Sequence, residues 1–350
     1  MEFMEALEQI AREKGITKEV LIDTIEAALI SAYRKNFGSA QNVRVLIDRL
    51  TGEVKVFSRK NVVEVVTDSR TEMSLDEARE IDPRYNLEDI VEIEVTPKDF
   101  GRIAAQTAKQ VVVQRIREAE RNLIYEDFRN REGDIITGIV QRQEQKNVFI
   151  DLGKVEAVLG PTEQIPNEVY KLGDRIKTYV VEVKKTTKGP QVAVSRTHPG
   201  LLKRLFELEV PEIHEGIVEL KSTAREAGSR SKIAVYSKNE DVDPIGSCVG
   251  PKGARVQTIV NELKGEKIDI VKWDQDPAKF VANALSPSKV LSVEIDEKEK
   301  IARVVVPDHQ LSLAIGKEGQ NARLSAKLTN WKIDIKSQSQ AEAEGIVIEE

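Results

Sequence analysis

The chain has 350 residues, which predicts two or three domains at the usual size of about 100 to 200 residues per domain. Hydrophobic residues make up 40% and charged residues 32%, which is enough apolar material for packed cores and excludes a disordered chain. The formal net charge of −6 argues against a protein that attracts nucleic acid through a general positive field.

Cysteine and histidine are too scarce to build a disulfide framework or a metal site. The single cysteine, Cys248, excludes an internal disulfide and a thiolate cluster. The three histidines, His198, His214 and His309, lie far apart and form no H-x-x-x-H spacing. We therefore predict a protein with no metal and no cofactor.

The sequence also disfavours catalysis and membrane insertion. Nothing near the three histidines supports a Ser-His-Asp arrangement, so we predict a protein that is not an enzyme. Glu2 and Glu5 stand where a secretory signal would be basic, and no apolar stretch approaches the roughly 18 residues of a membrane helix. We expect a cytoplasmic protein with no membrane partner.

Residues 1–131 have the pattern of an α/β domain that ends in a long connector helix. Apolar residues first recur at helical spacing, with Gly15 between two helices. Alternating apolar residues on both sides of Thr51-Gly52 predict a β-hairpin, and the alternation over 91–95 predicts a further strand. A long charged helix is predicted from Phe100 to about Arg131.

Residues 132–199 change to short strands separated by turn residues. Five short strands in a segment of this length predict a small β-barrel. The strands are predicted over 135–140, 148–152, 155–159, 176–183 and 192–195.

Beyond Pro199 the chain contains an internal repeat. Val249-Gly250-Pro251-Lys252-Gly253 aligns with Ile315-Gly316-Lys317-Glu318-Gly319, and each is followed by a helical stretch and a strand that contains Ile-Asp-Ile, at 268–270 and 333–335. A hairpin-like pair of strands precedes each loop. The repeat predicts two tandem α/β modules, over 200–280 and 281–337, followed by a short acidic tail over 338–350.

Each repeated loop has the G-x-x-G pattern with which KH modules clamp about four nucleotides of single-stranded nucleic acid. Glycines without a β-carbon let the RNA backbone approach peptide N–H groups and the start of the next helix. The alternative is a tight turn between helices that needs glycine only for its backbone angles. The predicted RNA-binding residues are Gly250, Pro251, Lys252, Gly253 and Arg255 in the first module, and Gly316, Lys317, Glu318, Gly319 and Arg323 in the second.

The barrel segment resembles an S1-type OB-fold, which binds RNA by stacking bases on exposed aromatic rings over a basic groove. Phe149 is the one aromatic residue left at the positions where S1 modules often have two, so base stacking is predicted to be weak. Phe149 is either a surface platform or a core residue. Arg142 and Lys146 are candidates to contact phosphates, although isolated surface charges are usually only solvated.

On the long helix, Arg102 and Lys109 stand seven residues apart and share a face, which could contact nucleic acid or an acidic partner. The alternative for such a charged helix is pairing with itself, as the sequence around Arg117 and Glu118 allows.

With an α/β leader, an S1-type barrel and two KH modules in this order, the chain resembles the NusA family of bacterial transcription elongation, termination and antitermination factors. The stretches that carry the resemblance include Phe100-Gly101-Arg102-Ile103-Ala104-Ala105-Gln106-Thr107-Ala108-Lys109-Gln110, Ser195-Arg196-Thr197-His198-Pro199 and Gln310-Leu311-Ser312-Leu313-Ala314-Ile315-Gly316-Lys317. The resemblance implies a multidomain α+β protein with tandem type II KH domains.

The same resemblance implies a non-enzymatic regulator whose partners are RNA polymerase, nascent single-stranded RNA and other Nus-type antitermination factors. It makes Arg102 and Lys109 candidates for contact with polymerase or its RNA exit channel. The C-terminal acidic repeats of longer family members are not expected, because the chain ends shortly after the second module. The alternative is a KH and S1 factor that acts on ribosome assembly or RNA turnover.

The acidic balance of the chain is unevenly distributed. The excess of acidic residues lies in residues 1–131 and in the tail, whereas residues 132–337 are close to neutral. We therefore expect RNA to be held by local geometry at several weak modules rather than by a general attraction.

Overall fold

The computed structural model describes residues 2–15, 17–37, 42–166 and 168–344. It divides into two compact units, Met1–Ile124 and Tyr125–Glu350. Within the described ranges, no helix has the length and apolar character needed to span a membrane. The same ranges hold no cluster of three or more histidine, cysteine or acidic side chains suited to a metal ion.

The N-terminal region alternates helices with a small sheet. Its elements are α1 (Glu2–Lys14), α2 (Lys18–Phe37), β1 (Val43–Ile47), β2 (Val54–Val63), β3 (Glu72–Ser74), α3 (Leu75–Ile81), β4 (Ile90–Glu94) and α4 (Phe100–Arg129). The two helices separated at Gly15 and the long helix from Phe100 agree with the sequence prediction.

The sheet of this unit is built around the long strand β2. The strand pairs antiparallel with β1, with Val45 opposite Val56, and antiparallel with β4 through its second half. The predicted hairpin and the strand predicted over 91–95 are both present. The short strand β3 pairs parallel with the end of β2.

The core of the first unit lies between α2, the sheet and one side of α4. Leu21 and Ile25 of α2 are fully buried and belong to the same cluster as Val45. On α4, Phe100, Ala104 and Ala108 are buried at intervals of four residues, which is the spacing of one helix face. The small alanines let the helix approach the core closely.

The sequence analysis missed β3 and α3. The strand has only three residues, and within α3 only Ala78 is buried. A signal was nevertheless present, because Ser74 and Glu77 form a capping box in which each side chain accepts a hydrogen bond from the backbone N–H of the other residue.

The second unit begins with the five-stranded barrel that the sequence predicts. Its strands follow the order β5-β6-β7-β9-β8, and an antiparallel pairing of β5 with β8 closes it. Buried side chains such as Val140, Ile150 and Val180 fill the interior. The strands are β5 (Ile135–Glu144), β6 (Asn147–Asp151), β7 (Glu156–Leu159), β8 (Arg175–Thr186) and β9 (Gly189–Ser195).

The internal repeat becomes two modules of the same topology. The first module comprises α5 (Pro199–Glu209), α6 (Pro211–His214), β10 (Val218–Glu226), β11 (Arg230–Ser237), α7 (Pro244–Val249), α8 (Ala254–Glu262) and β12 (Lys267–Lys272). The second comprises α9 (Pro277–Ala284), β13 (Ser292–Asp296), β14 (Ile301–Val306), α10 (Leu311–Ile315), α11 (Gln320–Thr329) and β15 (Lys332–Ser337).

In each module the first two strands pair antiparallel and the last strand pairs parallel with the second. A helical segment precedes the three strands, and two helices lie between the second and third strands. This is the order of the type II KH fold, as the sequence analysis expects. The strand order in both sheets is first, second, third, so β12 and β15 each pair along one side only.

The two KH modules share an apolar core. The face of the first sheet that carries Ala234 and Val271 packs in one buried cluster with Phe280 of α9 and with Leu324 and Leu328 of α11. The second module therefore covers the outer face of the first sheet.

The segment predicted as a short acidic tail begins with a packed helix, α12 (Gln338–Ala343). Ser337 caps this helix, and Ala341 is fully buried. The end of the tail lies outside the described residues.

A buried arginine ties the barrel to the first KH module. Arg196 is fully buried, and its Nε and Nη2 donate to the carboxylate of Glu168 at 2.8 and 2.6 Å. Its Nη1 donates to Glu262 Oε1 of α8 at 3.2 Å and to the Lys177 carbonyl of β8 at 2.7 Å. Burial alone would lower the pKa of Arg196, but the hydrogen bonds and charge of Glu168 together with the charge of Glu262 raise the pKa overall.

Replacing this arginine tests how strongly the network stabilises the fold. In Arg196→Ala the carboxylate of Glu168, whose side chain is 2% exposed, loses its ionic partner in the interior. We expect the free energy of unfolding, measured by urea titration of the full chain, to fall by about 3 to 5 kcal/mol.

The matched control is Arg303→Ala, because Arg303 pairs with Glu294 on the surface at 3.4 Å. Exposed pairs contribute about 0 to 1 kcal/mol. Equal losses in the two variants would show that the buried network does not hold the barrel and the KH module together.

Candidate nucleic-acid interface

The two G-x-x-G loops have the same backbone. In the first, Gly250 has φ 73° and ψ 176°, and Gly253 has φ 78° and ψ 13°. In the second, Gly316 has φ 78° and ψ 171°, and Gly319 has φ 73° and ψ 14°. The repeat seen in the sequence is therefore a repeat of loop geometry, with each loop joining a short helix to the start of a second helix.

The first glycine of each loop is required by close packing. A β-carbon on Gly250 would lie 2.6 Å from Cγ of Arg255, and one on Gly316 would lie 2.7 Å from the backbone nitrogen of Asn321. Backbone angles near φ 75° and ψ 175° are also accessible essentially only to glycine. The first glycine therefore brings the loop onto the helix that follows.

The second glycine faces open space. A β-carbon on Gly253 would have no atom within 4 Å, and one on Gly319 would meet only Arg323 Nη1 at 3.9 Å. Both glycines are left-handed, a conformation that other residues adopt at a cost of roughly 1–2 kcal/mol. The open space beside Gly253, and beside Gly319 apart from Arg323, leaves the backbone of both loops accessible to a ligand.

The two loops differ in charge at the matched position. Lys252 (φ 54°, ψ 26°) corresponds in backbone geometry to Glu318 (φ 52°, ψ 28°), whereas Lys317 takes the place of Pro251. The sequence analysis gave each loop one lysine, and the structure shows that these lysines occupy different positions. All three charged side chains belong to exposed residues.

Both arginines that follow the loops are engaged with carboxylates. Arg255 Nη1 donates to Glu212 Oε2 at 2.9 Å and to the Ser247 carbonyl at 2.6 Å. Arg323 Nε donates to Glu226 Oε1 at 2.7 Å, and its Nη1 donates to the Glu318 carbonyl at 3.0 Å. These contacts fix the loops, and they also offset the arginine charges.

The contact of Arg323 joins the two KH modules at the second loop. Glu226 belongs to β10 of the first module, and its other carboxylate oxygen accepts a hydrogen bond from Gln320 at 2.8 Å. The hydrogen bond from Arg323 lowers the pKa of Glu226 and raises the pKa of Arg323. The first module thus positions the helix start that follows the second loop.

The sequence analysis did not identify Glu212 and Glu226 as parts of the loops. They lie 43 and 97 residues before the arginines that they bind. No spacing rule connects residues so far apart, so only the fold reveals the pairs.

On the barrel, the predicted stacking residue is covered by a neighbour. The guanidinium of Arg142 lies 4.1 Å from the centroid of the Phe149 ring, and the ring is half-buried. Arg142 forms ion pairs with Glu156 and with Glu144, and the hydrogen bond to Glu156 raises the pKa of Arg142. Lys146, at the turn after β5, is exposed and has no ion pair within the described part of the chain.

Arg102 and Lys109 lie in the first unit, on the exposed side of α4. Neither forms an ion pair with any residue that the structure describes. Their shared face agrees with the seven-residue spacing in the sequence, and they remain a predicted contact surface of the first unit.

A pair of glycine substitutions compares the crowded first glycine of the loop with the open second one. Gly250→Ala places a methyl group 2.6 Å from Arg255, whereas Gly253→Ala places it in open space at a left-handed position. We expect Gly253→Ala to cost about 1 kcal/mol and Gly250→Ala to cost about 2 kcal/mol more, because overpacking adds to backbone angles that favour glycine more strongly.

The measurement is urea unfolding of each full-length variant. Gly316→Ala and Gly319→Ala repeat the comparison in the second loop. A larger loss for the second glycine than for the first in both loops would contradict this account of the packing.

Comparisons with known proteins follow the same order of modules. Family models match the NusA N-terminal domain at residues 2–122, the S1 RNA binding domain at 129–195, the NusA-like first KH domain at 196–273 and the NusA-like second KH domain at 277–343. A solution structure of the N-terminal domain of NusA from Bacillus subtilis is 63% identical, covers 34% of this chain and 97% of its own, and has a TM-score of 0.32.

Curated relatives match over almost the full length. The transcription termination/antitermination protein NusA of Halalkalibacterium halodurans is 67% identical over 349 residues, which are 100% of this chain and 91% of that protein. The protein of the same name from Bacillus subtilis is 67% identical over 99% of this chain and 93% of its own length. That from Mycobacterium tuberculosis is 48% identical over 95% and 92%. This chain therefore belongs to the NusA family.

Proposed function

We propose that this chain is an RNA-binding transcription factor that binds RNA polymerase and nascent RNA and modulates pausing, intrinsic termination and antitermination. The observation that carries the proposal is the pair of superimposable G-x-x-G loops on two KH modules that share one core and adjoin an S1 barrel. The names of its relatives place such proteins in transcription termination and antitermination.

The proposal divides the work along the chain. Residues 1–131 would contact polymerase, with Arg102 and Lys109 as the candidate contacts on α4. Residues 132–199, 200–280 and 281–337 would hold RNA as it leaves the polymerase in the cytoplasm, and other Nus-type factors would join the same assembly. The chain would act by binding alone, without a catalytic step.

The charges of the second unit support weak binding at several points. The arginines beside both loops and on the barrel are neutralised by Glu212, Glu226 and Glu156. These three arginines therefore contribute little free positive charge to a contact with phosphate. Modules held at fixed spacing gain affinity because binding at one raises the effective concentration of RNA at the next.

Cutting the chain after α4 tests the division of work. We expect residues 1–131 to bind purified bacterial RNA polymerase and residues 132–350 to bind single-stranded RNA, with the full chain doing both. Circular dichroism confirms that each fragment is folded, and pull-down and fluorescence anisotropy measure the two interactions.

The reverse partition would contradict the proposal. Co-purification of the full chain with ribosomal subunits instead of polymerase would favour a role in ribosome assembly, and magnesium-dependent degradation of the RNA would favour a role in RNA turnover.

A second test concerns the barrel. Because Arg142 lies over the Phe149 ring and is paired with Glu156, we expect Phe149→Leu to change the RNA affinity of the full chain by less than about twofold. A ring that stacks a base contributes about 1–3 kcal/mol to the binding free energy, so its loss would weaken the RNA affinity roughly fivefold or more. A loss of RNA affinity of that size, measured by fluorescence anisotropy, would show that Phe149 stacks a base.

A further inference from the structure

The two KH loops present opposite charges on the same backbone. Lys252 and Glu318 both sit in the left-handed conformation between the two glycines, with φ and ψ that differ by about 2°. Both residues are exposed. A phosphate that approaches either loop in the same way therefore meets an ammonium group in the first module and a carboxylate in the second.

The surrounding charges do not remove this difference. In the first module the ion pair of Arg255 with Glu212 offsets the arginine charge, and Lys252 forms no ion pair within the described residues. In the second module Glu226 offsets Arg323 in the same way, and the loop itself carries the opposite charges of Lys317 and Glu318.

The carboxylate of Glu318 is exposed and interacts with Arg323 only through its charge, without a hydrogen bond to it within the described residues. Arg323 binds the backbone carbonyl of Glu318 and directs its Nε to Glu226. Within the described residues, Glu318 forms no ion pair closer than 4.0 Å. Its negative charge is therefore directed to the solvent at the loop that would receive the RNA backbone.

We propose that the two loops hold RNA unequally: Lys252 makes the first KH loop the phosphate clamp, and Glu318 weakens the second loop so that RNA leaves it first. This inference rests on the proposed RNA-binding function and adds an order of release to it. A strand held firmly at one module rebinds the weak module through effective concentration. The second module can then open and close repeatedly while the RNA stays on the protein.

Charge exchange between the loops provides the test. The variants are Glu318→Lys, Lys252→Glu and the double exchange, all in the full chain. Each substitution introduces a residue that the other loop already carries at the same backbone angles, so the fold is expected to be preserved. Urea unfolding checks this for each variant.

The probe is a fluorescein-labelled single-stranded RNA without self-complementarity, long enough to span both modules, measured by anisotropy over a series of KCl concentrations. We expect Glu318→Lys to raise the affinity about fivefold and to steepen the slope of log K against log salt by about 0.7, the value for one further phosphate contact on a single strand. Lys252→Glu should produce the opposite changes, and the double exchange should return near the wild-type affinity.

The matched control is Glu297→Lys, which makes the same change of charge at an exposed residue after β13. The turn that contains Glu297 ends at Lys300, whose carbonyl accepts a hydrogen bond from the N–H of Lys332. Lys332 follows the C-terminal end of α11, whereas the second loop precedes the N-terminal end of that helix. The ten residues of α11 span about 15 Å, beyond the Debye length of about 8 Å at physiological salt. We expect Glu297→Lys to leave the affinity within about twofold, because the added charge is screened at that distance.

Unchanged or weaker binding by Glu318→Lys would overturn the inference, because Glu318 would then be remote from the RNA or would accept a hydrogen bond from a base. An equal gain in Glu297→Lys would also overturn it, since the effect would then be one of net charge. Failure of the wild-type chain to bind the RNA would contradict the proposed function itself.

Discussion

The pairing of arginines with distant glutamates is the interaction on which the second unit depends. Arg196 is enclosed between the barrel and the first KH module, with the carboxylates of Glu168 and Glu262 around it. Arg323 and Gln320 reach Glu226 across the two KH modules. A buried charge such as that of Arg196 is tolerated only with its partner in place, so this pair fixes the barrel against the first KH module. The Arg323 side chain is 48% exposed, and its pair with Glu226 adds to the apolar cluster that the two KH modules share.

Ion pairs of the same kind limit the positive charge that this acidic protein can offer to RNA. The arginines that the sequence suggests as phosphate contacts form ion pairs with Glu212, Glu226 and Glu156 instead. The open features that remain at the loops are the glycine backbone and the side chains of Lys252, Lys317 and Glu318. Binding then depends on the geometry of the loops and their spacing, which suits an RNA that must be held and also released.

Much of the fold could be predicted from the sequence because the strongest signals are local or repeated. The G-x-x-G loops recur in a common frame, the barrel strands alternate with turns, and α4 has an unbroken helical pattern. The short elements β3 and α3 were missed, although the capping box of Ser74 and Glu77 was readable. With one buried residue in each element, Met73 in β3 and Ala78 in α3, the hydrophobic period is too weak for detection.

For the candidate site, the sequence predicted where the loop backbone lies but not which side chains are paired there. The sequence located both loops, but the roles of Arg255 and Arg323 depend on carboxylates that only the fold brings close. The contact of the Arg142 guanidinium with the Phe149 ring likewise follows from strand pairing, because Arg142 lies opposite Phe149 in the β5–β6 ladder.

The central claim is that RNA emerging from polymerase passes over both KH loops of this chain. The most direct measurement is photocrosslinking from 4-thiouridine placed in the transcript of a stalled elongation complex that contains the full chain, with the crosslinked peptides mapped by mass spectrometry. We expect crosslinks in the peptides that carry residues 250–253 and 316–319. Crosslinks confined to the barrel or to residues 1–124, with neither loop labelled, would contradict it.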